Sequence, residues 1–465
     1  MTRKISLGGI VLAATSFLNL SLHPGELALA QDKIVGYYAS WKSGLLPATN
    51  VEYANLTHIC VAFAYPNSNG SLGSDGGIPF SSLVQSAHNQ GIKILISLGG
   101  GAMSTQFASA TADSAVRSVF INNIVGFLQA NSYDGVDIDW ETPANTTETG
   151  QLTAFVRELR DRFNQVNTVW LITMAVPPTN YGGQHFDYPS IVDLVDWFNI
   201  MGYDFYGSWS GYAGHGSPLY QSPSDPNQAG SDSAAVMYMT VRGVPNSKLV
   251  LGIPFYGVQF SASGLYKQVA VATTSNPVHS DVVNYLASGW TYQWDDVSKV
   301  PYLLNSTSTQ FVTFEDTNSI KLKGAFAVRK GLGGLMCWEL AQGLTGDGKQ
   351  PLLGAMAGSL KSLTLVERNK VAPPRLALYD NFPNPFNPAT TIRFDLREES
   401  TVKLELMNDL GQKIIAWDLG SLEAGSHQQS IDLSRYSSGV YFYRLSVMGG
   451  NGEGPVAVKR MMLIK

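Results

Sequence analysis

The sequence contains little cysteine and little charge. Its only cysteines among 465 residues are Cys60 and Cys337, and both lie in apolar runs typical of strands. Two such residues exclude a disulfide scaffold, so we expect two buried free thiols. Charged residues make up 14% of the chain, whereas about 25% is usual. The net charge is −5 and there is no basic tract, which argues against a nucleic-acid partner.

Long hydrophobic runs are also lacking, except at the amino terminus. Residues 5–22 are largely apolar, follow Arg3 and Lys4, and lead to Ala28-Leu29-Ala30. A basic start, a short apolar run and an A-x-A site are typical of a secretory signal peptide. No later stretch is long and apolar enough for a membrane span. We therefore expect residues 1–30 to be a signal peptide and the mature chain to be a soluble, extracellular monomer without a transmembrane segment.

Three carboxyl groups occupy alternate positions within the stretch 133–141. Asp137, Asp139 and Glu141 are separated by apolar residues, so in a β-strand they would share one face. Like charges on one face repel, and this raises the pKa of one of them until it stays protonated near neutral pH. The pattern favours an acid–base site. Two alternatives are a site for a hard cation such as Mg²⁺ or Ca²⁺, and a solvated acidic strand end.

Eight short apolar runs recur between residues 34 and 340, separated by stretches with helical spacing. Strands that alternate with helices pair in parallel through right-handed crossovers. Eight such units predict an α/β fold, a (β/α)₈ or TIM barrel. The runs are Ile34–Ala39, His58–Ala64, Ile92–Leu98, Gly135–Glu141, Trp170–Val176, Trp197–Met201, Leu249–Tyr256 and Gly334–Leu340.

Aromatic and acidic residues stand where these runs end. In a (β/α)₈ barrel the chemistry takes place at the carboxyl ends of the strands. The predicted rim residues include Trp41, Phe63, Glu141, Asp204 and Trp338. We expect them to line a single site.

Five segments resemble the glycoside hydrolases of family 18, the chitinase family. The first matches the signature D-G-x-D-x-D-x-E, and the others resemble the third, sixth, seventh and eighth strands of that family. The resemblance covers residues 33–356. The segments are Asp134–Glu141, Ser97–Gly100, Met201–Asp204, Leu251–Gly257 and Gly333–Glu339.

The resemblance implies a catalytic role for four residues. Glu141 would protonate the glycosidic oxygen, and the 2-acetamido group of the substrate would act as the nucleophile, because this family is substrate-assisted. Asp139 would orient that group and stabilise the oxazolinium cation. Asp137 would tune Asp139, and Tyr203 would donate a hydrogen bond to the acetamido oxygen. The three acids would titrate as a coupled unit.

The same resemblance implies a substrate-binding surface for chitin or chitooligosaccharides, and implies no metal or organic cofactor. Trp338 would form the floor on which the distorted sugar stacks. The remaining predicted binding residues are Asp204, Met201, Tyr37, Phe63, Trp209 and Trp41.

Two other functions share these motifs. An endo-β-N-acetylglucosaminidase acting on N-glycan cores would use the same acids, although the predicted groove insertion argues against it. A non-catalytic chitin-binding lectin is the second alternative. Inactive relatives usually lose the outermost acid, and Glu141 is present.

Further segments surround the catalytic domain, which we place at residues 31–358. Residues 258–316 resemble a small α+β insertion that forms one wall of the groove in some chitinases. Residues 359–375 read as a linker that ends in Pro373-Pro374. Residues 376–465 show β periodicity with Gly and Ser turns, which predicts a small all-β sandwich.

The terminal sandwich has two interpretations. A carbohydrate-binding module would be the first, but Trp417 is the domain's only tryptophan. Residues 381–396, the Ser438–Tyr443 segment and the final Lys459–Lys465 segment resemble the C-terminal sorting domain of type IX secretion. The resemblance implies the type IX machinery as a partner and a protein that is released or attached to the cell surface.

Overall fold

The computed structural model describes residues 33–74, 76–101, 103–270, 274–361, 376–396, 398–408, 412–449 and 452–465. The chain divides into two compact units between Lys361 and Ser362. The predicted signal peptide lies outside the described residues. Among the described residues, no helix is long and apolar enough to cross a membrane.

The first unit contains fourteen strands within the described part of the chain. Eight of them are parallel and form a closed barrel in the order β1-β14-β8-β7-β6-β5-β4-β2, with β2 pairing back to β1. This confirms the predicted (β/α)₈ barrel. The strands are β1 Lys33–Ala39, β2 His58–Pro66, β3 Leu72–Ser74, β4 Lys93–Gly99, β5 Gly135–Asp139, β6 Leu171–Val176, β7 Trp197–Ile200, β8 Leu249–Pro254, β9 Val258–Phe260, β10 Thr274–Ser275, β11 Thr291–Asp295, β12 Val300–Leu304, β13 Phe311–Thr313 and β14 Gly334–Trp338.

Helices connect the barrel strands, and several begin at side-chain caps. The carboxylate of Asp113 accepts hydrogen bonds from two amides at the start of α3, and Asn145 does the same for α4. Helix α4 buries one apolar stripe, which includes Phe155 and Leu159. The helices are α1 Ser81–Asn89, α2 Ser104–Ala112, α3 Ser114–Asn131, α4 Thr146–Val166, α5 Asn180–Gly183, α6 Tyr188–Ile191, α7 Asp232–Val241, α8 His279–Ala287, α9 Thr317–Lys330 and α10 Pro351–Lys361.

The alternation of β5 separates the acids from the apolar residues. Trp140, directly after the strand, stacks on Phe107 of α2 with ring centroids 5.2 Å apart, so this face packs in the layer between strands and helices. Asp137 points the other way, into the barrel, where it meets side chains from other strands. The period of two residues in a strand therefore places the acid row inside the barrel.

Strand β1 separates the two cysteines. Cys60 lies on β2 and Cys337 on β14, and β1 pairs with both of these strands. Both thiols are buried and free, which confirms the prediction.

An α+β insertion follows β8, as predicted. Strands β9 to β13 form an antiparallel sheet in the order β10-β9-β13-β12-β11, and α8 packs on it. Its small separate core consists of Val282, Leu303, Val312 and Phe314.

The barrel unit ends with α10 at Lys361. This helix includes the first three residues of the predicted linker, and residues 362–375 lie outside the described part of the chain.

The second unit is an all-β sandwich, as predicted. A three-stranded sheet has the order β15-β16-β19, and a four-stranded sheet has the order β18-β17-β20-β21. The described strands are β15 Leu376–Leu378, β16 Ala389–Leu396, β17 Ser400–Met407, β18 Lys413–Leu422, β19 Gly425–Asp432, β20 Gly439–Gly449 and β21 Gly452–Leu463.

Candidate active site

Asp137 lies at the centre of the barrel with both oxygens hydrogen-bonded. The hydroxyls of Tyr37 and Ser97 each donate a hydrogen bond of 2.8 Å to Oδ2. Thr173 and Asn199 donate hydrogen bonds of 2.5 and 3.1 Å to Oδ1. Burial raises the pKa of Asp137, and these hydrogen bonds lower it. Because four neutral donors from four strands surround the carboxyl, its position is fixed without a counter-ion.

Asp139 is the next acid toward the barrel mouth. Its side chain is buried, and its Oδ1 has no hydrogen-bond partner among the described residues. Burial, followed by the charges of Glu141 and Asp137, raises the pKa of Asp139 well above its usual range. A buried oxygen without a partner is costly, so this oxygen is available to bind a polar group of a ligand.

Glu141 is the outermost acid and is partly exposed. Burial and the charge of Asp204 raise its pKa to about 7. Gly101, in the loop after β4, lies directly beside the Glu141 carboxyl. A Cβ on this glycine would be 3.2 Å from Oε2 of Glu141. Glu141 can therefore hold a proton near neutral pH and remain accessible.

Tyr203 and Asp204 follow β7 and lie next to the acid row. Asp204 has a left-handed backbone with φ of 59°, which is uncommon for a residue other than glycine. Tyr256 donates a hydrogen bond of 2.6 Å to its Oδ1, and Tyr203 meets the Tyr256 ring edge-on at 6.2 Å. Burial, then the charge of Asp139, raises the pKa of the Tyr203 hydroxyl. Tyr203 therefore remains a hydrogen-bond donor.

Three rings form what we call the aromatic wall: Trp41, Phe63 and Trp338. Phe63 stacks on Trp338 at 5.7 Å and on Trp41 at 5.9 Å. Trp41 is 54% exposed, so the wall presents an open aromatic face. Such faces suit the flat apolar side of a sugar ring.

An ion pair anchors this wall. Lys42 lies 2.9 Å from Glu339, which directly follows Trp338. Glu339 also caps the turn at residues 340–343 by accepting a hydrogen bond from Ala341. The bridge therefore joins the loop that carries Trp41 to the end of β14.

Three predicted binding residues lie outside the aromatic wall. Tyr37 is buried, packs against Trp338 at 5.4 Å and directs its hydroxyl to Asp137, so it lies behind the wall. Met201 is half-buried and packs on the apolar core. Trp209 is 68% exposed in the loop after β7, and no ring contact joins it to the wall within the described residues.

Sequence reasoning missed the roles of Thr173, Asn199 and Tyr256. Thr173 and Asn199 are polar residues inside otherwise apolar runs, and that departure was the available signal. Tyr256 carried no such signal, because its partner Asp204 lies 52 residues away.

The hydrogen bonding of the acid row, which is Asp137, Asp139 and Glu141, argues against a hard-cation site there. The oxygens of Asp137 are taken by protein donors, whereas Mg²⁺ and Ca²⁺ need several free oxygen ligands. In the part of the chain that the structure describes, no group of three or more His, Cys, Asp or Glu residues has metal-binding geometry.

Comparison with known proteins extends over both units. Residues 33–343 match the family described as Glycosyl hydrolases family 18, and residues 380–455 match the Secretion system C-terminal sorting domain. Chitinase A1 of Niallia circulans is 29% identical over 427 residues, which cover 73% of this chain and 61% of that protein. Chitinase 1 of Aphanocladium album is 31% identical over 272 residues, 56% of this chain and 64% of that protein. The chain thus spans less than two thirds of the length of both relatives.

Solved structures of similar proteins include enzymes and a binding protein. The Group IV chitinase of Ostrinia furnacalis in complex with allosamidin has a TM-score of 0.66 and 26% identity, over 71% of this chain and 99% of that one. Human YKL-39, described as a pseudo-chitinase that retains chitooligosaccharide binding, has a TM-score of 0.65 and 25% identity, over 71% of this chain and 99% of that one.

The barrel, its acid row and the match over residues 33–343 agree with one another, and the match over residues 380–455 adds a sorting domain that marks the protein for secretion. The chain belongs to family 18 of the glycosyl hydrolases and is a secreted member of it.

Proposed function

We propose that this protein hydrolyses β-1,4 linkages between N-acetylglucosamine units of chitin or chitooligosaccharides with retention of configuration. The observation that carries the proposal is the environment of the Asp139 carboxyl. It is buried beside Glu141, its pKa is raised by burial and by neighbouring acids, and its Oδ1 lacks a partner among the described residues. A substrate amide N–H would satisfy this oxygen.

In the first step Glu141 donates its proton to the glycosidic oxygen, and the bond from that oxygen to the anomeric carbon breaks. The acetamido carbonyl oxygen of the same sugar forms a bond to the anomeric carbon, which gives an oxazolinium ion. Asp139 accepts a hydrogen bond from the acetamido N–H, and its negative charge stabilises the cation. Tyr203 donates its hydroxyl to the acetamido oxygen and holds it in line for attack.

In the second step the ionised Glu141 takes a proton from water, and the water oxygen attacks the anomeric carbon. The bond to the acetamido oxygen breaks, and Glu141 is protonated again. The anomeric carbon is inverted twice, so configuration is retained. A Glu141 pKa of about 7 suits both roles, because the group can hold and release a proton near neutral pH.

Asp137 assists through its charge and its fixed position. Its four hydrogen bonds keep the carboxyl in place behind Asp139. While Asp137 is ionised, its charge favours the protonated form of Asp139. When the cation forms, Asp139 passes its proton to Asp137 and becomes ionised, so that its negative charge faces the cation.

Two other functions remain as alternatives. YKL-39 shows that this fold can serve binding alone, but the accessible Glu141 with its raised pKa favours catalysis here. Cleavage of N-glycan cores would use the same acids. The α+β insertion beside the barrel favours an extended chain as substrate, and a high-mannose glycoprotein assayed beside chitin separates these two.

The experiment uses the full-length protein, with N-acetylglucosamine tetramer to hexamer as substrates and with product anomers resolved. We expect early release of β-anomers by the wild type and no turnover by Glu141→Gln. Asp161→Asn, which removes an exposed carboxyl from α4, is the matched control and should behave like the wild type. Turnover by Glu141→Gln at the wild-type rate would refute the proposal. Binding without cleavage by the wild type would move the function to a lectin.

A further inference from the structure

A buried ionic cluster lies behind the segment that carries Tyr203 and Asp204. Its cation is Lys323 of α9, whose Nζ lies 2.9 Å from Asp232 of α7 and 2.6 Å from Glu315. The side chains of Lys323 and Asp232 are completely buried, and that of Glu315 is 2% exposed. When both carboxyls are ionised, the two negative groups outnumber the single positive group inside the protein.

This cluster is difficult to explain by stability alone. Removing charges from water costs more than a buried pair commonly returns, and a well-packed apolar replacement is often at least as stable. Burial raises the pKa of Asp232 to about 7, against the opposing effect of Lys323. The cluster therefore carries unfavourable burial energy, which suggests that its geometry serves another purpose.

Ser217 links the cluster to the backbone of the active site. Lys323 donates a hydrogen bond of 2.7 Å to the carbonyl oxygen of Ser217 and one of 2.6 Å to its hydroxyl oxygen. The Ser217 hydroxyl in turn donates a hydrogen bond of 2.5 Å to the carbonyl of Gly202. Gly202 immediately precedes Tyr203, so the ammonium group acts on this segment through one side chain.

Asp232 contacts the same glycine directly. A Cβ at position 202 would lie 2.6 Å from Oδ1 of Asp232, so the carboxyl packs against the Gly202 Cα. Only glycine fits at this close approach. Gly202 is thus held from two sides by residues that Lys323 binds.

The segment that follows needs such support. Asp204 has its left-handed backbone, and residues in sparsely populated conformations persist only where their surroundings hold them. The Phe205 amide donates to the Gly216 carbonyl, one residue before Ser217. Tyr203, Asp204, Ser217 and Glu315 also line one small cavity, which shows that the cluster and the catalytic residues adjoin each other.

We propose that Lys323 is a positioning residue for the reaction: together with Asp232, Glu315 and Ser217 it fixes the Gly202–Asp204 segment, and so places Tyr203 and Asp204 for transition-state contacts. This inference rests on the proposed function, because it assigns Lys323 to the same reaction. Lys323 does not touch the substrate.

The test replaces the ammonium group in Lys323→Met. Because this variant leaves two buried carboxyls without their cation, it is paired with the triple variant Lys323→Met/Asp232→Asn/Glu315→Gln. The triple variant leaves no unpaired buried charge, and we expect it to fold. Lys248→Met is the matched control. Lys248 lies just before β8 and donates to the carbonyls of Val192 and Val195, which precede β7. Both positions are at the amino ends of the strands, opposite the active site.

Two measurements are made on the full-length proteins. Turnover of the N-acetylglucosamine hexamer should show a kcat lower by about 10- to 100-fold in both Lys323 variants, since small displacements at a catalytic centre have effects of that size. KM should change by less than about 3-fold, because the contacts concerned form in the transition state. Hydrogen exchange of the peptide that covers residues 202–205 should be faster in both variants. Lys248→Met should match the wild type in both measurements.

The outcomes separate the two proposals. A wild-type kcat together with wild-type exchange at residues 202–205 in the triple variant overturns the positioning role of Lys323. A rise in KM at unchanged kcat also overturns it, because the cluster would then act on ground-state binding. If the wild-type protein shows no turnover, the proposed function fails. The exchange measurement then decides by itself whether Lys323 holds the segment.

Discussion

Tyr256 donates its hydroxyl to Oδ1 of Asp204 over 2.6 Å, across 52 residues of sequence. The bond fixes a carboxyl whose charge, second to burial, raises the pKa of Glu141. The protonation of Glu141, which follows β5, therefore depends on Asp204 after β7 and on Tyr256 after β8, which holds Asp204 in place.

Asp204→Asn should move the alkaline limit of activity to lower pH. Glu141 acts as an acid only while protonated, so kcat/KM should fall as the pH rises through about 7, the pKa of Glu141. The negative charge of Asp204 raises this pKa, and its removal lowers it. The pH profile of hexamer hydrolysis measures the shift, with Asp193→Asn on the surface as the control. An unchanged or more alkaline limit in Asp204→Asn would contradict the assigned effect of Asp204.

Glu141→Gln should be more stable than the wild type at pH 8. The pKa of Glu141 is about 7 in the folded protein, against an ordinary value of 4.5. The folded state therefore binds more protons than the unfolded state between these values, and wild-type stability declines as the pH rises through this range. The gain in free energy of unfolding should be on the order of 3 kcal/mol at pH 8, because each unit between the two pKa values corresponds to ~1.4 kcal/mol.

Thermal unfolding of the two proteins at pH 4 and pH 8 tests this expectation. At pH 4 the difference should nearly vanish, because Glu141 is then mostly protonated in both states. An equal stabilisation at both pH values would show that packing, and not the charge of Glu141, is responsible.

Trp41→Ala should weaken binding of chitooligosaccharides. Trp41 supplies the most exposed ring of the aromatic wall, whose other members stand behind it. Loss of the ring should raise Kd by about 10-fold or more, since aromatic contacts often supply more than 1.4 kcal/mol. Titration calorimetry in the Glu141→Gln background measures binding without turnover. Trp417→Ala in the second unit is the control and should leave Kd unchanged.

Deletion of residues 376–465 should leave active enzyme in the periplasm of the producing bacterium. The match to a sorting domain covers residues 380–455, while the proposed catalytic residues all lie in the barrel. Cell fractionation with activity assays in each compartment makes the measurement. A deletion of residues 2–30 should instead retain the protein in the cytoplasm. Export of the truncated chain at the normal level would contradict the sorting role.

Patterns with a short period were predictable from the sequence. The eight apolar runs identified the barrel strands, and the spacing of two residues placed Asp137 and Asp139 on one face inside the barrel. Strand β19 has the mostly polar sequence Gly-Ser-His-Gln-Gln-Ser-Ile-Asp, so its pairing with β16 follows from the folded sandwich and not from a local apolar pattern.

Contacts between distant parts of the chain were not predictable. The Lys42–Glu339 pair joins residues 297 positions apart, and no local pattern marks either partner. The Tyr37 hydroxyl donates to Asp137 across 100 residues, and no local pattern marks this contact. Which side of a ring faces the ligand depends on neighbours that only the folded barrel brings together.

Strand β1 pairs with β2 on one side and with β14 on the other, and this arrangement constrains the order of folding. β1 is synthesised first among the barrel strands and β14 last, about 300 residues later. Closing so long a loop is entropically costly, and long-range pairing of strands is slow. The edge of β1 that pairs with β14 therefore stays unpaired until the barrel part of the chain is almost complete. In a secreted protein this order has a use, because until β14 is made the barrel cannot close, and translocation across a membrane as an extended chain requires an unclosed barrel.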